Sequence, residues 1–354
     1  MSRKLLIAVA AAALIALLAA VGFRAGTPAA GAAQASPAPA GAATAVDSVD
    51  PVAIREWTVP WEKSRPRDPY RDARGRVWFV GQAGNYIAYL EPDSGTFKRF
   101  EIDPGTHPHN LIVARDGMIW YAGNGNGMIG RLDPANGRIS RFPMPGPITD
   151  PHTLVEDAAG DIWFTAQQSG YVGRLDAQTG KVDTVVIATP KSRPYGIIVG
   201  RGGRIWFNEF GAGKLASVDP KTLRVTEYTQ PNSRTRGRRI AQTSDGAIWY
   251  VDYTRGMLGK LDPASGSFGE WPAPGGAPSL PYGMAVDERD RIWFVESGMR
   301  PNRLVGFDTK AGRVVSVTPF GAPVNTVRHM YYDAKAGELW FGTDANTIGR
   351  ATLR

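Results

Sequence analysis

The segment Gly203-Arg204-Ile205-Trp206-Phe207-Asn208-Glu209 is one copy of a phrase that recurs throughout the sequence. At its centre stand an apolar residue, a tryptophan and a second aromatic residue. Seven tryptophans hold this position at intervals of 42, 43, 43, 43, 44 and 47 residues: Trp78, Trp120, Trp163, Trp206, Trp249, Trp293 and Trp340. A repeat of about 40–50 residues is typical of the blades of a propeller.

Each repeat has the pattern of four short strands. A short apolar strand such as Ile197-Ile198-Val199 precedes a turn, and the tryptophan strand follows. Downstream come a strand such as Ile129 to Asp133 and an alternating strand such as Arg138 to Phe142. The glycine, proline and β-branched content of every repeat excludes a helical solenoid. The sequence therefore predicts an all-β, seven-bladed β-propeller with four-stranded antiparallel blades.

The two ends of the repeat region are predicted to complete one blade together. After Trp340 there is room for a single further strand, Thr347 to Leu353, so the last repeat lacks an outer strand. Residues 54–60 have the pattern of that outer strand and precede the first full repeat. Because pairing of these segments closes the ring, we expect residues 51–354 to form one domain and to act as a monomer.

The N-terminal segment predicts export. Arg3 and Lys4 precede an apolar run from Leu5 to Val21, and small residues follow it. This pattern predicts a signal peptide in residues 1–25, with an uncleaved N-terminal anchor as the alternative. Residues 26–50 are rich in Ala, Pro, Gly and Ser, which predicts a flexible linker. The expected location is the periplasm or the medium, with membrane contact only through the possible anchor.

Composition excludes several classes of chemistry. The chain has no cysteine, so it has no disulfide, thiol nucleophile or thiolate-held metal. Lysine and arginine number 41 against 33 aspartates and glutamates, and this balance favours anionic ligands. No basic patch is interleaved with aromatic residues, so no nucleic acid is expected as a partner. The basic cluster of Arg234, Arg236, Arg238 and Arg239 is interpreted as a solvated loop, with binding of an acidic group of a ligand as the alternative.

Two rings of side chains are predicted at one mouth of the channel, because the first strand of each blade lines it. The position eleven residues before each tryptophan holds Arg67, His109, His152, Tyr195, Arg238, Tyr282 and His329. The position three residues after it holds Gly81, Gly123, Ala166, Glu209, Asp252, Glu296 and Thr343. Convergent polar groups at the end of a channel predict a site for a small-molecule or peptide-like ligand.

The two rings suggest distinct roles. Glu209, Asp252 and Glu296 would repel one another unless a cation or a proton lies among them. A cation suggests Mg²⁺, and pairing with neighbours such as Arg238 is the alternative. His152 and His109 are the candidate catalytic bases, and hydrogen bonds to backbone or water are the alternative for them. The candidate ligand-binding residues are Tyr195, Arg238, Tyr282, His329 and Arg67.

The phrase Pro194-Tyr195-Gly196-Ile197, the segment 203–209 and the later Ile-Gly-Arg resemble the virginiamycin B lyase (streptogramin lyase) family, over residues 54–354. The resemblance implies a seven-bladed propeller that opens cyclic depsipeptides by elimination, with Mg²⁺ held by glutamates and a histidine base. The family has Glu-Pro-His before the tryptophan of its catalytic blade, where this chain has Leu280-Pro281-Tyr282. Glu296 matches one implied metal ligand.

Three functions are compatible with these features. The first is an exported, metal-assisted lyase that acts by elimination on a cyclic ester or depsipeptide-like ligand. The second is a non-catalytic envelope propeller that binds an anionic ligand or partner at the mouth. The third is a lactone hydrolase.

Overall fold

The structure, a computed structural model, describes residues 50–321 and 326–353. Two short 3₁₀ helices lie at Arg201–Gly203 and Ala277–Ser279. The strands within the described residues are β1 (Ala53–Thr58), β2 (Pro66–Arg71), β3 (Val77–Gly81), β4 (Tyr86–Glu91), β5 (Thr96–Glu101), β6 (Pro108–Val113), β7 (Ile119–Gly123), β8 (Met128–Leu132), β9 (Ile139–Pro143), β10 (Pro151–Glu156), β11 (Ile162–Ala166), β12 (Tyr171–Leu175), β13 (Val182–Val186), β14 (Pro194–Val199), β15 (Ile205–Glu209), β16 (Lys214–Val218), β17 (Val225–Thr229), β18 (Gly237–Gln242), β19 (Ile248–Asp252), β20 (Met257–Leu261), β21 (Phe268–Pro272), β22 (Pro281–Val286), β23 (Arg291–Glu296), β24 (Arg303–Asp308), β25 (Arg313–Pro319), β26 (Val327–Asp333), β27 (Glu338–Thr343) and β28 (Thr347–Thr352).

These strands form seven antiparallel sheets of four strands, which confirms the predicted propeller. Six blades consist of four consecutive strands, from β2–β5 to β22–β25. The seventh blade has the order β26, β27, β28, β1, so the first strand of the domain supplies its outer edge. Trp57 pairs with Ile348 across this junction. The predicted closure of the ring is therefore confirmed.

The seven repeat tryptophans form the core between blades. Each is at most 3 % exposed. In three blades the indole Nε1 donates a hydrogen bond to an aspartate six residues earlier in the chain, as between Trp163 and Asp157 at 2.8 Å. The aspartate belongs to the hairpin turn that leads into the tryptophan strand. In these blades one aspartate side chain therefore connects the hairpin turn to the tryptophan of the core through a hydrogen bond.

The glycine of the Ile-Gly-Arg phrase makes room for the aromatic residue after the tryptophan. Gly259 pairs with Tyr250 across neighbouring strands, and a Cβ on this glycine would overlap the tyrosine ring. The same clash would arise at Gly130 against Tyr121 and at Gly173 against Phe164. In these three blades the ring lies over its partner strand because the partner residue has no side chain. The equivalent partner is Ala88, Ala216 or Val305 in three other blades, so the glycine is required by the ring position of the individual blade.

Replacing Gly259 by valine is expected to lower the free energy of unfolding by about 3 kcal/mol, the upper range for overpacking a dense core. The added side chain would displace the ring of Tyr250, which is fully buried. Urea denaturation of the purified variant measures the change. Gly321→Val is the matched control, since no atom of the residues that the structure describes lies within 4 Å of a Cβ there. Equal stability of the two variants would contradict the packing argument.

The predicted signal peptide or anchor (1–25) and nearly all of the predicted linker (26–50) lie outside the described residues. Those predictions remain open. Within residues 50–321 and 326–353, no helix is long and apolar enough to cross a membrane.

Candidate functional site

Side chains converge where the innermost strand of each blade begins. The first residue of that strand pairs with the last residue of the tryptophan strand, as Pro108 pairs with Gly123 and Pro194 with Glu209. The next residue of each innermost strand therefore occupies an equivalent place in all seven blades. We call these residues the mouth ring: Arg67, His109, His152, Tyr195, Arg238, Tyr282 and Arg328.

The structure corrects the seventh member of this ring. The sequence prediction placed His329 there, but Val327 pairs with Thr343, so Arg328 is the next residue and His329 follows one place deeper. The cause is one extra residue in the last hairpin, which shifts any count made backwards from Trp340. The other six predicted members keep their places.

The two predicted histidine bases are packed against each other. Their ring centroids are 3.5 Å apart. Arg67 Nη1 lies 3.0 Å from His109 Nε2, and His109 Nδ1 lies 3.1 Å from the carbonyl oxygen of His152. A neutral His109 satisfies both contacts, since Nε2 accepts from the arginine and Nδ1–H donates to the carbonyl.

An aromatic group continues the mouth ring beyond His152. The imidazole of His152 lies 4.5 Å from the ring of Tyr195, whose hydroxyl is hydrogen-bonded to that of Tyr282. The guanidinium of Arg238 lies 4.3–5.2 Å from the centroids of four rings. The four rings belong to Tyr195, Phe210, Tyr253 and Tyr282. Arg238 is thereby held over the hydroxyl pair by cation–π contacts, with Nη1 3.4 Å from Tyr282 Oη.

Burial and nearby arginines keep the histidines neutral. Burial, followed by Arg67, lowers the pKa of His109 well below its usual value. Burial and Arg239 do the same to the pKa of His152. The lone pair of neutral His109 is already used by Arg67. His152 has one ring nitrogen, Nδ1, in contact with Thr153 Oγ1 at 2.8 Å, and the other, Nε2, is left to accept a proton.

Burial and the same arginines act on the pKa values of Tyr195 and Tyr282. Burial alone would raise the pKa of Tyr195, but Arg239, Arg238 and Arg67 outweigh it and lower that pKa. Burial and the neighbouring Tyr195 raise the pKa of Tyr282. The two hydroxyls thus differ in acidity, and Tyr195 is the more easily ionised of the pair.

A second set of polar residues lies one position deeper, four of them buried and His329 half-buried, and the sequence analysis singled out only His329 among them as a ring residue. We call Asp68, Asn110, Thr153, Arg239 and His329 the waist ring, since each directly follows a member of the mouth ring. Asn110 Nδ2 donates to Asp68 Oδ2 at 2.8 Å, and Arg239 Nη2 lies 3.4 Å from the same oxygen. Reading the repeat ten residues before each tryptophan would have revealed most of this ring.

Arg239 also contradicts the interpretation of residues 234–239 as a solvated loop. It belongs to β18 and is 3 % exposed. Its Nε donates to the carbonyl oxygen of Arg328 at 2.9 Å. The carboxylate of Asp68 balances the charge of this buried guanidinium. A run of basic residues in the sequence does not show that one of them is paired with a distant buried acid.

The predicted acidic ring does not form a shared metal site. Glu296 accepts from Arg303 Nε at 2.7 Å and from the Gly275 amide at 2.6 Å. Asp252 accepts from the Arg236 amide at 2.9 Å and pairs with Arg255 at 3.3 Å. Among the described residues, no group of three or more histidines, aspartates or glutamates could hold a metal ion. Guanidinium groups stand where a cation would bind, so these acids do not fit Mg²⁺.

Glu209 is the exception among the three acids. It is 1 % exposed, and among the described residues no amide, hydroxyl or cationic group donates to its carboxyl oxygens. Its neighbour is the Glu227 carboxylate, to which a protonated Glu209 can donate a hydrogen bond. Burial, with a contribution from Glu227, raises the pKa of Glu209 to about 8. Lys214 is bound instead to Glu227, at 2.6 Å. Without a bound cation, the carboxyl of Glu209 therefore keeps its proton at pH 7.

A metal titration tests whether these acids bind Mg²⁺. Calorimetry with Mg²⁺ is expected to give the same negligible heat for wild type and Glu296→Gln, because Arg303 already neutralises the carboxylate. Chelator-treated protein should likewise keep its melting temperature. Saturable binding by the wild type that the variant loses would restore the predicted magnesium site.

Sequence comparison assigns the chain to a family. The profile of the virginiamycin B lyase family matches residues 103–354, which is more than half of the sequence. The chain belongs to the virginiamycin B lyase family. No curated protein matches the chain in a sequence search.

Solved structures of this family have the same fold. The virginiamycin B lyase of Staphylococcus aureus superimposes with a TM-score of 0.77 at 23 % identity, covering 85 % of this chain and 99 % of that one. A streptogramin B lyase gives 0.76 at 26 % identity, with 85 % and 98 % covered. Hydrazine synthase of Kuenenia stuttgartiensis also matches, with a TM-score of 0.69 at 12 % identity and 83 % and 97 % covered. The propeller is thus shared well beyond the lyases.

Proposed function

We propose that this member of the virginiamycin B lyase family is an exported, monomeric carbon–oxygen lyase. Its substrate is a cyclic ester or depsipeptide-like molecule bound at the mouth ring. The observation that carries the proposal is the neutral imidazole of His152 packed against Tyr195, whose hydroxyl pairs with Tyr282 beneath Arg238. This arrangement combines a base, a proton donor and a fixed positive charge.

Elimination needs these three elements. His152 accepts the proton on the carbon next to a carbonyl, and the released electron pair forms a carbon–carbon double bond. The ester C–O bond breaks, and the leaving carboxylate takes the electrons of that bond. Arg238 stabilises the negative charge that develops on the carbonyl oxygen, and the tyrosine pair donates a hydrogen bond to the leaving group. The family implies a magnesium ion, but the acids present do not fit one, so no step is assigned to it.

The decisive experiment is incubation of the purified protein with a streptogramin B-type cyclic depsipeptide. Mass spectrometry distinguishes the outcomes, since elimination opens the ring without changing the mass whereas hydrolysis adds a water. An unchanged mass with a new unsaturated residue is expected. Addition of water would indicate a lactone hydrolase. Binding without turnover would indicate a non-catalytic propeller and overturn the proposal.

The His152→Ala and Tyr195→Phe variants are expected to lower kcat/KM by about a hundredfold, the typical contribution of a positioned base or acid. The variant Glu296→Ala is the control, because the Glu296 carboxylate contacts Arg303 on the neighbouring strand and the amide of Gly275, not the mouth ring. Its kcat/KM is compared at equal folded fraction, since loss of the Arg303 pair also lowers stability. Steady-state kinetics on the cyclic substrate give the comparison. Unchanged turnover in His152→Ala would remove the imidazole from the mechanism.

Export is part of the same proposal and is tested separately. The apolar run from Leu5 to Val21 supports it. The intact mass of the protein recovered outside the cytoplasm would show cleavage if residues 1–25 are missing. A full-length mass in the membrane fraction would show the uncleaved anchor instead.

A further inference from the structure

A large cavity occupies the part of the channel beyond the waist ring. Its lining residues all lie at or after the waist-ring position of the innermost strands, so it extends from that ring away from the mouth. Its volume is about 780 Å³, within the range of small-molecule sites. We call it the lower cavity. Its walls are mixed: partly exposed aliphatic side chains lie along it, and polar side chains, among them Glu156 and Gln242, lie at its outer end. The aliphatic residues are Val113, Val155, Ile198, Val199 and Val286.

The end of the lower cavity nearest the mouth is polar. Arg239, Thr153 and His329 line it there. The guanidinium of Arg239 makes one short hydrogen bond, of 2.9 Å to the carbonyl of Arg328. Its other contacts, to Thr153 Oγ1 and to Asp68 Oδ2, are both 3.4 Å long. A guanidinium has five N–H donors, so part of its capacity is left for an acceptor in the cavity.

The buried charge at the waist is incompletely balanced. Arg67 and Arg239 are 5 % and 3 % exposed, and the carboxylate of Asp68 lies between them. Arg67 Nε and Nη2 have no hydrogen-bond partner among the described residues. Burial lowers the pKa of His329 to about 4, so this histidine adds no charge at pH 7. Two cations therefore face one anion in a medium that solvates charge poorly.

We propose that the lower cavity binds an amphipathic carboxylate. Its apolar chain lies along the aliphatic side chains of the walls, and its carboxylate meets the guanidinium of Arg239 and the hydroxyl of Thr153. Such a ligand supplies the missing negative charge and removes apolar surface from water in the same step. A cation would be repelled by the two arginines, and a neutral alcohol would leave their charge uncompensated.

This site is separate from the mouth ring. Of the residues placed in the elimination mechanism, none lines the lower cavity. The proposal therefore stands whether or not the mouth ring proves catalytic, and each can fail without the other.

Isothermal titration with three eight-carbon probes tests the proposal on the wild-type protein. Octanoate is expected to bind at least ten times more tightly than 1-octanol, and octylammonium is expected not to bind. Equal affinity for octanoate and octanol would overturn the assignment of Arg239 as the anion partner. Failure of octanoate to bind at all would overturn the site.

A cavity-filling variant locates the binding. Val199 lines the lower cavity, and Val199→Trp is expected to weaken octanoate binding at least tenfold. Val186→Trp is the matched control, since Val186 is 72 % exposed on an outer strand, and its affinity should equal that of the wild type. Arg238→Gln, at the mouth, should also retain octanoate affinity. Loss of binding in Arg238→Gln but not in Val199→Trp would place the ligand at the mouth and refute the proposal.

Discussion

Replacement of Asp68 by alanine is expected to lower the free energy of unfolding by about 3–5 kcal/mol, the usual cost of leaving a buried charge without its partner. Asp68 is 1 % exposed and accepts from Asn110 while it faces Arg67 and Arg239. Its removal leaves two guanidinium groups at the waist of the channel with no anion. Guanidinium denaturation followed by tryptophan fluorescence measures the loss.

Asp103→Ala is the matched control for this variant. Asp103 forms a two-point ion pair with Arg141, one contact being 2.8 Å, but Arg141 is exposed and Asp103 is partly exposed at the surface. Its loss is expected to change stability by less than about 1 kcal/mol. If Asp68→Ala were no more damaging than Asp103→Ala, the waist ring would not be the buried charge cluster described here.

The pH dependence gives a second test of Asp68. Burial works against its charge, but His329, Arg239 and Arg67 outweigh burial and lower the pKa of Asp68 to about 2. An acid whose pKa is lower in the folded state contributes stability that is present above its unfolded pKa of about 4 and is lost as the pH falls towards 2. The difference in stability between wild type and Asp68→Asn should therefore narrow over this interval.

Replacement of Glu209 by glutamine is expected to stabilise the protein at pH 8–9, by an amount on the order of 3 kcal/mol. The carboxyl of Glu209 holds its proton up to about pH 8 in the folded protein, against 4.5 for an ordinary glutamate. The folded state thus binds more protons between these values, so wild-type stability falls as the pH rises from 4.5 to 8. Glutamine carries no charge at any pH and removes this loss.

Glu296→Gln is the control at the equivalent position of another blade. Because Glu296 is paired with Arg303, the same substitution there should destabilise the protein rather than stabilise it. Thermal unfolding of both variants at pH 5 and pH 9 tests the contrast. A Glu209→Gln variant that is no more stable than wild type at pH 9 would show that the pKa of Glu209 is not raised in the folded state.

The fold could be predicted because its signal is repeated seven times. The tryptophans, the turns and the glycines opposite aromatic rings all recur in one register, and an error in one repeat is corrected by the others. Arg328 shows the limit of this reasoning, since one extra residue in a single hairpin moved His329 off the predicted ring. Counting from the tryptophan therefore identifies equivalent residues only in repeats whose hairpins have the same number of residues.

The roles of the acids were harder to predict. The sequence placed Glu209, Asp252 and Glu296 at equivalent strand ends, and the structure agrees. It could not show that Arg255 and Arg303, from the next loop or strand, reach back to two of them. The direction and partners of a side chain depend on packing between segments, which the period of a repeat does not encode.

The junction of β1 with β28 has a consequence for the order of folding. Glu56 and Thr347, bonded across this junction, are 291 residues apart in the chain. Six blades can form in succession while the chain emerges, but the ring cannot be sealed until its last strand is available. Contacts of such long range slow folding and leave strand edges exposed in the interim. A chain that ends before β28 would lack the strand pairing that joins its two ends. We therefore expect it to be rapidly degraded by proteases.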